Sequence, residues 1–289
     1  MGGARVSASK ASRILPLEVN SVRRSGLFLL FVLPLLVAVL LPDLVRAATA
    51  SRPGLRIVYE ETSNPDHREV RQILKKTRLF EELARDLNQS LEFPVPLVVR
   101  FTDCDEENAY YDPETREISM CYELIEKYRH IYDDQVSTRE EVEAEVLNAA
   151  LFTFFHELGH GLVDVLELPI TGGEEDAVDE FAAVTLLDYG GDQAVDALLS
   201  AVDQFALDAE ESQADVEEID DLPFWDTHPL DQQRLYNLLC LIYGSDPERY
   251  ADLVEDGDLP EDRASGCEEE YERKARVWEQ LLEPHVKEG

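Results

Sequence analysis

Two histidines and a glutamate have the spacing of a metal site on one helix. His156 and His160 lie four residues apart in the run HELGH, and Glu157 follows the first of them. Positions four apart project from the same face of an α-helix, so both imidazoles can bind one metal ion. The adjacent glutamate can serve as general base toward a metal-bound water. The spacing therefore predicts a site for Zn²⁺ with hydrolytic chemistry.

The residues around this motif argue against two exposed histidines on an acidic helix, which is the competing interpretation. The neighbouring positions are apolar, at Leu151, Phe154, Phe155 and Leu162. A helix with this pattern is largely buried, and buried imidazoles beside a carboxylate need polar partners. A metal ion supplies one.

The third ligand must come from another segment. The metzincin pattern HExxHxxGxxH is excluded because Val163 and Leu166 occupy its last two defined positions. A cluster of acids follows at 174–180, on the next expected helix. We expect Glu175 to bind the metal and Asp179, one turn later, to orient a ligand histidine from behind the site.

Other acids compete for these two roles. If Glu175 is not the ligand, the candidates are Glu174, Asp176 and Asp179. If Glu175 is the ligand, we expect Glu174, Asp176 and Glu180 to be solvated. Asp164 lies one turn beyond His160 and is expected behind the ligands or on the helix surface. His67, His130 and His285 have no such partners in the sequence and are expected at the surface.

The flanking pattern predicts an α+β fold. A capping-box sequence at 137–140 opens a long helix that runs to about Leu166, and a second helix runs from Glu174 or Glu175 to 190–191. Strand-like segments precede the first helix and helical segments follow the second. We predict one zincin-like catalytic domain, residues 51–289, with a mixed β/α lobe at 51–166 that carries the HExxH helix and an all-helical lobe at 167–289.

The first fifty residues resemble a secretory signal. Five basic residues precede the apolar run 27–41, and small residues follow at 47–50. The run is short for a membrane span, although an uncleaved anchor is the alternative. Either way the rest of the chain is expected to be exported, to the periplasm or beyond.

The chain is strongly acidic, with a formal net charge of −36. Removing the first fifty residues, with their six basic and two acidic side chains, brings this to −40. Such a field repels phosphate backbones, which excludes nucleic acid as a partner, and disfavours anionic membranes. We expect a monomer that takes a peptide or protein substrate, with membrane contact only through the N-terminal segment; a preference for cationic substrates is a further possibility.

Four cysteines favour two disulfides in an exported chain. The pairs Cys104–Cys121 and Cys240–Cys267 each close a short loop. Buried free thiols are the alternative, and the absence of a CxxC sequence disfavours a thiolate zinc site.

Several motifs resemble known peptidase families. HELGH followed by EDAVDEFAA is similar to the gluzincin pattern of HExxH and then ExxxD, and His228-Pro229 with Arg234 resembles the HPxxxxR element of CaaX prenyl-protease-like peptidases. The runs NAYYDP, MCYEL, PITGGEEDAVDEFAA and HPLDQQRLYNLLCLIYGSDP are most similar to bacterial exported proteins of metallopeptidase type whose domain has no assigned function. The resemblance implies a peptidase fold and a zinc site but no substrate.

Residues outside the metal motif suggest how a substrate could be held. His228 and Arg234 are candidate catalytic groups that stabilise an oxyanion, or else they mark a helix N-terminus with a surface ion pair. The segment 117–121 is a candidate edge strand for an extended peptide, or an ordinary strand of a sheet.

Taken together, the sequence predicts an exported zinc metallopeptidase with Glu157 as general base. A non-catalytic binding protein on the same scaffold and a non-peptide zinc hydrolase are the alternatives.

Overall fold

A small mixed sheet forms from the first part of the chain. The computed structural model describes residues 52–133, 136–189, 191–214 and 222–288, so the predicted signal segment lies outside the described residues. The strands are β1 (Gly54–Tyr59), β2 (Pro96–Thr102), β3 (Ala109–Asp112) and β4 (Glu117–Cys121), in the order β1-β2-β4-β3. The pairs β1/β2 and β2/β4 are parallel, and β3/β4 is an antiparallel hairpin.

The expectation that 117–121 is an edge strand is wrong. Strand β4 pairs with β2 on one side and with β3 on the other, so neither of its edges can receive a peptide. Its last four residues are buried, because the strand lies in the middle of the sheet. The free edge of this hairpin belongs to β3, whose Ala109 pairs with Met120.

Helices make up most of the rest of the described chain. They are α1 (Pro65–Thr77), α2 (Leu79–Ser90), α3 (Tyr122–Asp133), α4 (Arg139–Val165), α5 (Glu174–Tyr189), α6 (Gly191–Ala214), α7 (Asp231–Ser245), α8 (Asp252–Glu255), α9 (Glu261–Ala264) and α10 (Cys267–Leu282). The mixed α+β class is as predicted. None of the helices in the described part of the chain is both long and apolar enough to cross a bilayer.

The long helix α4 lies between the sheet and the later helices. Thr138 is its N-cap and forms a capping box with Glu141, one residue later than the sequence suggested. Two glycines of the HELGHG run permit close packing on both sides. A methyl group at Gly159 would lie 2.8 Å from Val178 of α5, and one at Gly161 would lie 3.0 Å from Leu97 of β2. The metal motif is therefore fixed between α5 and the sheet.

Both predicted disulfides are present. Cys104–Cys121 ties the loop after β2 to the end of β4, and Cys240–Cys267 joins α7 to the start of α10. The chain segments come very close at the second bridge, because a Cβ on Gly244 would lie 2.2 Å from the carbonyl oxygen of Cys267.

The placement of His67 at the surface is wrong. Its side chain is buried on α1, with Nδ1 2.7 Å from an Asp103 carboxylate oxygen and Nε2 3.1 Å from an oxygen of Glu126. A buried imidazole needs partners for both nitrogens, and here two acids from different elements supply them. His130 is exposed as expected, and His285 is half-buried.

Candidate metal centre

The two histidines of α4 face a carboxylate from α5. The Nε2 atoms of His156 and His160 lie 3.3 Å and 3.4 Å from Oε2 of Glu175. The potential ligand atoms of these three residues all lie within 4.8 Å of one another. The structure thus brings together the three residues that the sequence proposed as ligands, because Gly159 lets α4 and α5 pack closely.

A third imidazole borders the same oxygen. His228, in the loop before α7, places Nε2 3.1 Å from Oε2 of Glu175, and its ring stacks on that of His156 at 6.5 Å between centroids. Its side chain is half exposed, whereas those of His156 and His160 are largely buried. His228 does not belong to the compact ligand group, so it flanks the site from the solvent side.

Each of the three imidazoles has an acid on its other nitrogen. Nδ1 of His156 lies 2.7 Å from Asp179, Nδ1 of His160 lies 2.7 Å from Glu174, and Nδ1 of His228 lies 3.4 Å from Asp226. A carboxylate at Nδ1 favours a proton there, which leaves the Nε2 lone pair free to bind a metal.

The polar groups at the centre fit a cation. Oε2 of Glu175 is buried and makes no hydrogen bond of acceptable geometry, although three ring nitrogens surround it. When Nδ1 carries the proton, three Nε2 lone pairs face a carboxylate oxygen, which is unfavourable unless a positive charge lies among them. Two imidazoles and one carboxylate form a donor set of the type that binds Zn²⁺ at catalytic sites.

Arg234 acts on this site indirectly. Its guanidinium donates from Nε and Nη2 to the two oxygens of Asp179 at 2.8 Å and 2.9 Å, and it lies over the Phe205 ring at 4.1 Å from the centroid. Asp179 in turn accepts from His156 at 2.7 Å when Nδ1 carries the proton. Arg234 therefore holds the carboxylate that contacts His156, and it also lines the cleft with Glu157 and His228.

The charges of this buried network shift its pKa values. Burial lowers the pKa of His156, but the hydrogen bond and charge of Asp179, together with the nearby carboxylates of Glu175 and Glu157, outweigh burial and raise it to about 9. Burial raises the pKa of Asp179, but the opposing effects of Arg234 and His156 hold it well below its usual range. The three histidines likewise outweigh burial and hold the pKa of Glu175 far below that of an ordinary glutamate.

Glu157 lies beside the ligand group without joining it. Its side chain is buried, and burial is the main cause that raises its pKa. Together with His156 and His228 it lines one wall of a cleft of about 210 Å³. A carboxylate in this position can accept a proton from a molecule in the cleft.

Sequence reasoning missed two of the acids at this site. Glu174 is exposed, as expected, but it pairs with His160 and is not simply solvated. Asp226 accepts from the backbone N–H of His228 at 2.9 Å and so fixes the loop that carries this imidazole. The two-residue spacing of Asp226 and His228 is the local pattern that could have revealed the second contact.

The other predicted neighbours have structural partners. Asp164 accepts a hydrogen bond from the Tyr111 hydroxyl at 2.6 Å, which links α4 to β3. Glu180 pairs with Lys274 of α10 at 2.8 Å. Neither acid belongs to the ligand group.

Comparison with known proteins gives one match. No curated protein and no solved structure matches the chain. A family described as "Putative metallopeptidase" matches residues 59–282, which include every residue of the candidate centre. This description implies a bound metal and peptide hydrolysis, in agreement with the donor set above. Because the match spans most of its length, the chain belongs to this metallopeptidase family.

Proposed function

We propose that the protein is a zinc-dependent peptidase of the gluzincin type, with His156, His160 and Glu175 as the metal ligands. The observation that carries the proposal is the position of Glu157, which is buried beside the ligand group and faces an open cleft. A purely structural metal site has no use for such a group. Bound zinc would supply Lewis acidity and lower the pKa of a coordinated water to about 7.

The chain's own residues would divide the proton transfer and charge stabilisation between them. Glu157 takes the proton of the attacking water and delivers it to the leaving amine. His228 lies on the solvent side of Glu175, with its Nε2 3.1 Å from Oε2. Glu175 raises the pKa of His228, which favours a proton on both ring nitrogens, and in that state Nε2 can donate a hydrogen bond to the oxygen that becomes negative during attack.

The free edge of β3 offers a place for an extended substrate. Asn108 and Ala109, at the start of this strand, line the same cleft as Glu157. A peptide that paired with β3 would lie along this wall, with its carbonyl groups near the candidate centre. This edge replaces 117–121 in the proposal.

Several wider expectations accompany this function. We propose an exported, monomeric enzyme with a single domain at residues 51–289 and a mature charge of −40. The zincin-like division into lobes at 51–166 and 167–289, and the likeness of the core to prenyl-protease-like peptidases, are part of the same proposal. The support is the apolar segment at 27–41, the acidity and the order of strands and helices.

The two alternatives predict different observations. A binding protein would close the metal site with a fourth protein ligand, for which His228 is the nearest candidate. A non-peptide hydrolase would use the same centre but cleave no peptide. The exposed position of His228 and the cleft beside Glu157 favour catalysis over a closed site.

A metal-dependence experiment tests the function. We expect the purified protein to bind one zinc per chain by elemental analysis and to cleave members of a mixed peptide library. Chelation should abolish cleavage and added zinc should restore it. The variant His160→Ala should lose both zinc and activity, whereas His130→Ala, which changes an exposed histidine, should keep both. Zinc without any peptide cleavage would contradict the proposal.

Zinc binding is expected to release protons at neutral pH. With its pKa raised to about 9, His156 of the metal-free protein carries a proton at pH 7 that a metal must displace. Zinc affinity should therefore rise as the pH increases from 6 to 9. Calorimetry in two buffers of different ionisation enthalpy measures the protons released. A binding enthalpy that does not depend on the buffer at pH 7 would contradict the prediction.

A further inference from the structure

The cleft beside Glu157 is a small pocket that residues of α3, α4 and α6 also line. Helices α4 and α6 supply an apolar floor from Phe152, Phe205, Ala149 and Ala201. The cleft volume of about 210 Å³ is enough for one long side chain and little more. Its position next to Glu157 places it where a residue that flanks the scissile bond would lie.

A glutamine on α6 lines this pocket in a fixed orientation. Gln204 donates from Nε2 to both oxygens of Asp208 at 3.0 Å, and Asp208 also accepts from Lys127 at 3.0 Å. Rotating the amide by half a turn would place its oxygen against the Asp208 carboxylate, which is unfavourable. The hydrogen bonds to Asp208 therefore assign the positions of Nε2 and Oε1 in the Gln204 side chain. Oε1 is therefore the end that does not face Asp208.

That oxygen has no partner. Gln204 is only 7% exposed, and its Oε1 is buried without a hydrogen bond. Buried acceptors in native proteins are nearly always paired, and an exception calls for a functional or structural reason. Neighbouring atoms cover this oxygen in the structure, so an N–H group from a bound ligand would satisfy it once the side chains around it shift.

The charges around the pocket indicate which ligand groups it can accept. Lys127 pairs with Asp208, and Arg234, which also lines the pocket, pairs with Asp179. Glu107 and Glu157 are the other two acids on the lining and His156 and His228 its other two bases, within a chain of net charge −36. A carboxylate would meet repulsion and would leave Oε1 unpaired. A side chain with an apolar stem and a terminal N–H donor matches both the floor and the free acceptor.

We propose that this pocket selects substrates with lysine, arginine or glutamine next to the scissile bond, and that Gln204 Oε1 accepts a hydrogen bond from the end of that side chain. The proposal rests on the peptidase function proposed above and names its substrate class. Gln204 contacts the side chain of the substrate and determines specificity without taking part in the proton transfer.

A substrate series tests the proposal. Four peptides would differ only at the residue beside the cleaved bond, with lysine, glutamine, norleucine or glutamate there. For the wild-type enzyme we expect kcat/KM about 10-fold or more higher with lysine or glutamine than with norleucine, and lowest with glutamate. In Gln204→Met the advantage over norleucine should disappear while norleucine cleavage is retained. The control Gln89→Met, at an exposed position on α2, should keep the wild-type ratios.

A binding measurement separates this proposal from the peptidase function. The same peptides would be titrated into the zinc-loaded Glu157→Gln variant, alone and combined with Gln204→Met, so that affinity is read without turnover. Tighter binding of the lysine and glutamine peptides that depends on Gln204 supports the pocket even if no peptide is cleaved, an outcome that would overturn only the peptidase function. Equal affinity for norleucine, or a preference that survives Gln204→Met, overturns the pocket.

Discussion

The Glu157→Gln variant is expected to bind zinc normally and to lose peptide hydrolysis by about 10²- to 10⁴-fold in kcat. Glutamine has nearly the same shape but cannot take a proton from water. Because Glu157 lies outside the ligand group, its replacement leaves the three donors in place. Elemental analysis and steady-state kinetics on a cleaved library peptide measure the two effects.

A glutamate on the same helix provides the matched control. Glu140 lies on the exposed first turn of α4, and Glu140→Gln should retain both zinc and activity. Full hydrolytic activity in Glu157→Gln would show that another group accepts the proton. Loss of zinc in that variant would show instead that Glu157 helps to hold the metal.

Replacing Arg234 by methionine is expected to weaken both the fold and the metal site. The change removes the guanidinium that binds both oxygens of buried Asp179, and breaking such a buried pair costs about 3–5 kcal/mol in the free energy of unfolding. Asp179 then no longer holds His156 firmly, and we expect zinc affinity to fall about 10- to 100-fold. Denaturant unfolding of the metal-free protein and competition with a chelator measure the two changes.

The double variant Asp179→Asn, Arg234→Met separates the effect of Arg234 on the position of His156 from its effect on the stability of the fold. The asparagine removes the unpaired charge but keeps an oxygen that can accept from His156. Stability should recover most of its loss, whereas zinc affinity should stay below that of the wild type because the neutral acceptor is weaker. Wild-type zinc affinity in the single Arg234→Met variant would contradict the indirect role of Arg234.

Local sequence patterns were sufficient to predict much of this site. The four-residue spacing of His156 and His160 defines a helix face without knowledge of the fold. The acidic start of α5 follows α4 after the short connection 166–173. Helix register, together with the resemblance to the gluzincin pattern, favoured Glu175 as ligand and Asp179 as its neighbour, and both lie beside His156 in the structure. Short loops likewise made the two disulfide pairings predictable.

Contacts between distant segments could not be derived in this way. The Arg234–Asp179 pair joins α7 to α5, and the Gln204 network joins α6 to α3, so both depend on how the helices pack. The buried state of His67 depends on Asp103 and Glu126, which reach it from other elements. The order of β4 and β3 in the sheet is also a property of the whole fold, which is why the edge strand was misplaced.

Anomalous diffraction at the zinc edge, from crystals of the zinc-loaded wild-type protein, would show which residues bind the metal. We predict one zinc bound by Nε2 of His156, Nε2 of His160 and a carboxylate oxygen of Glu175, with a water in the fourth position near Glu157. Zinc–nitrogen distances should be about 2.0–2.1 Å. A zinc closed by His228 as a fourth protein ligand, or bound instead at the cluster of His67, Asp103 and Glu123, would contradict it.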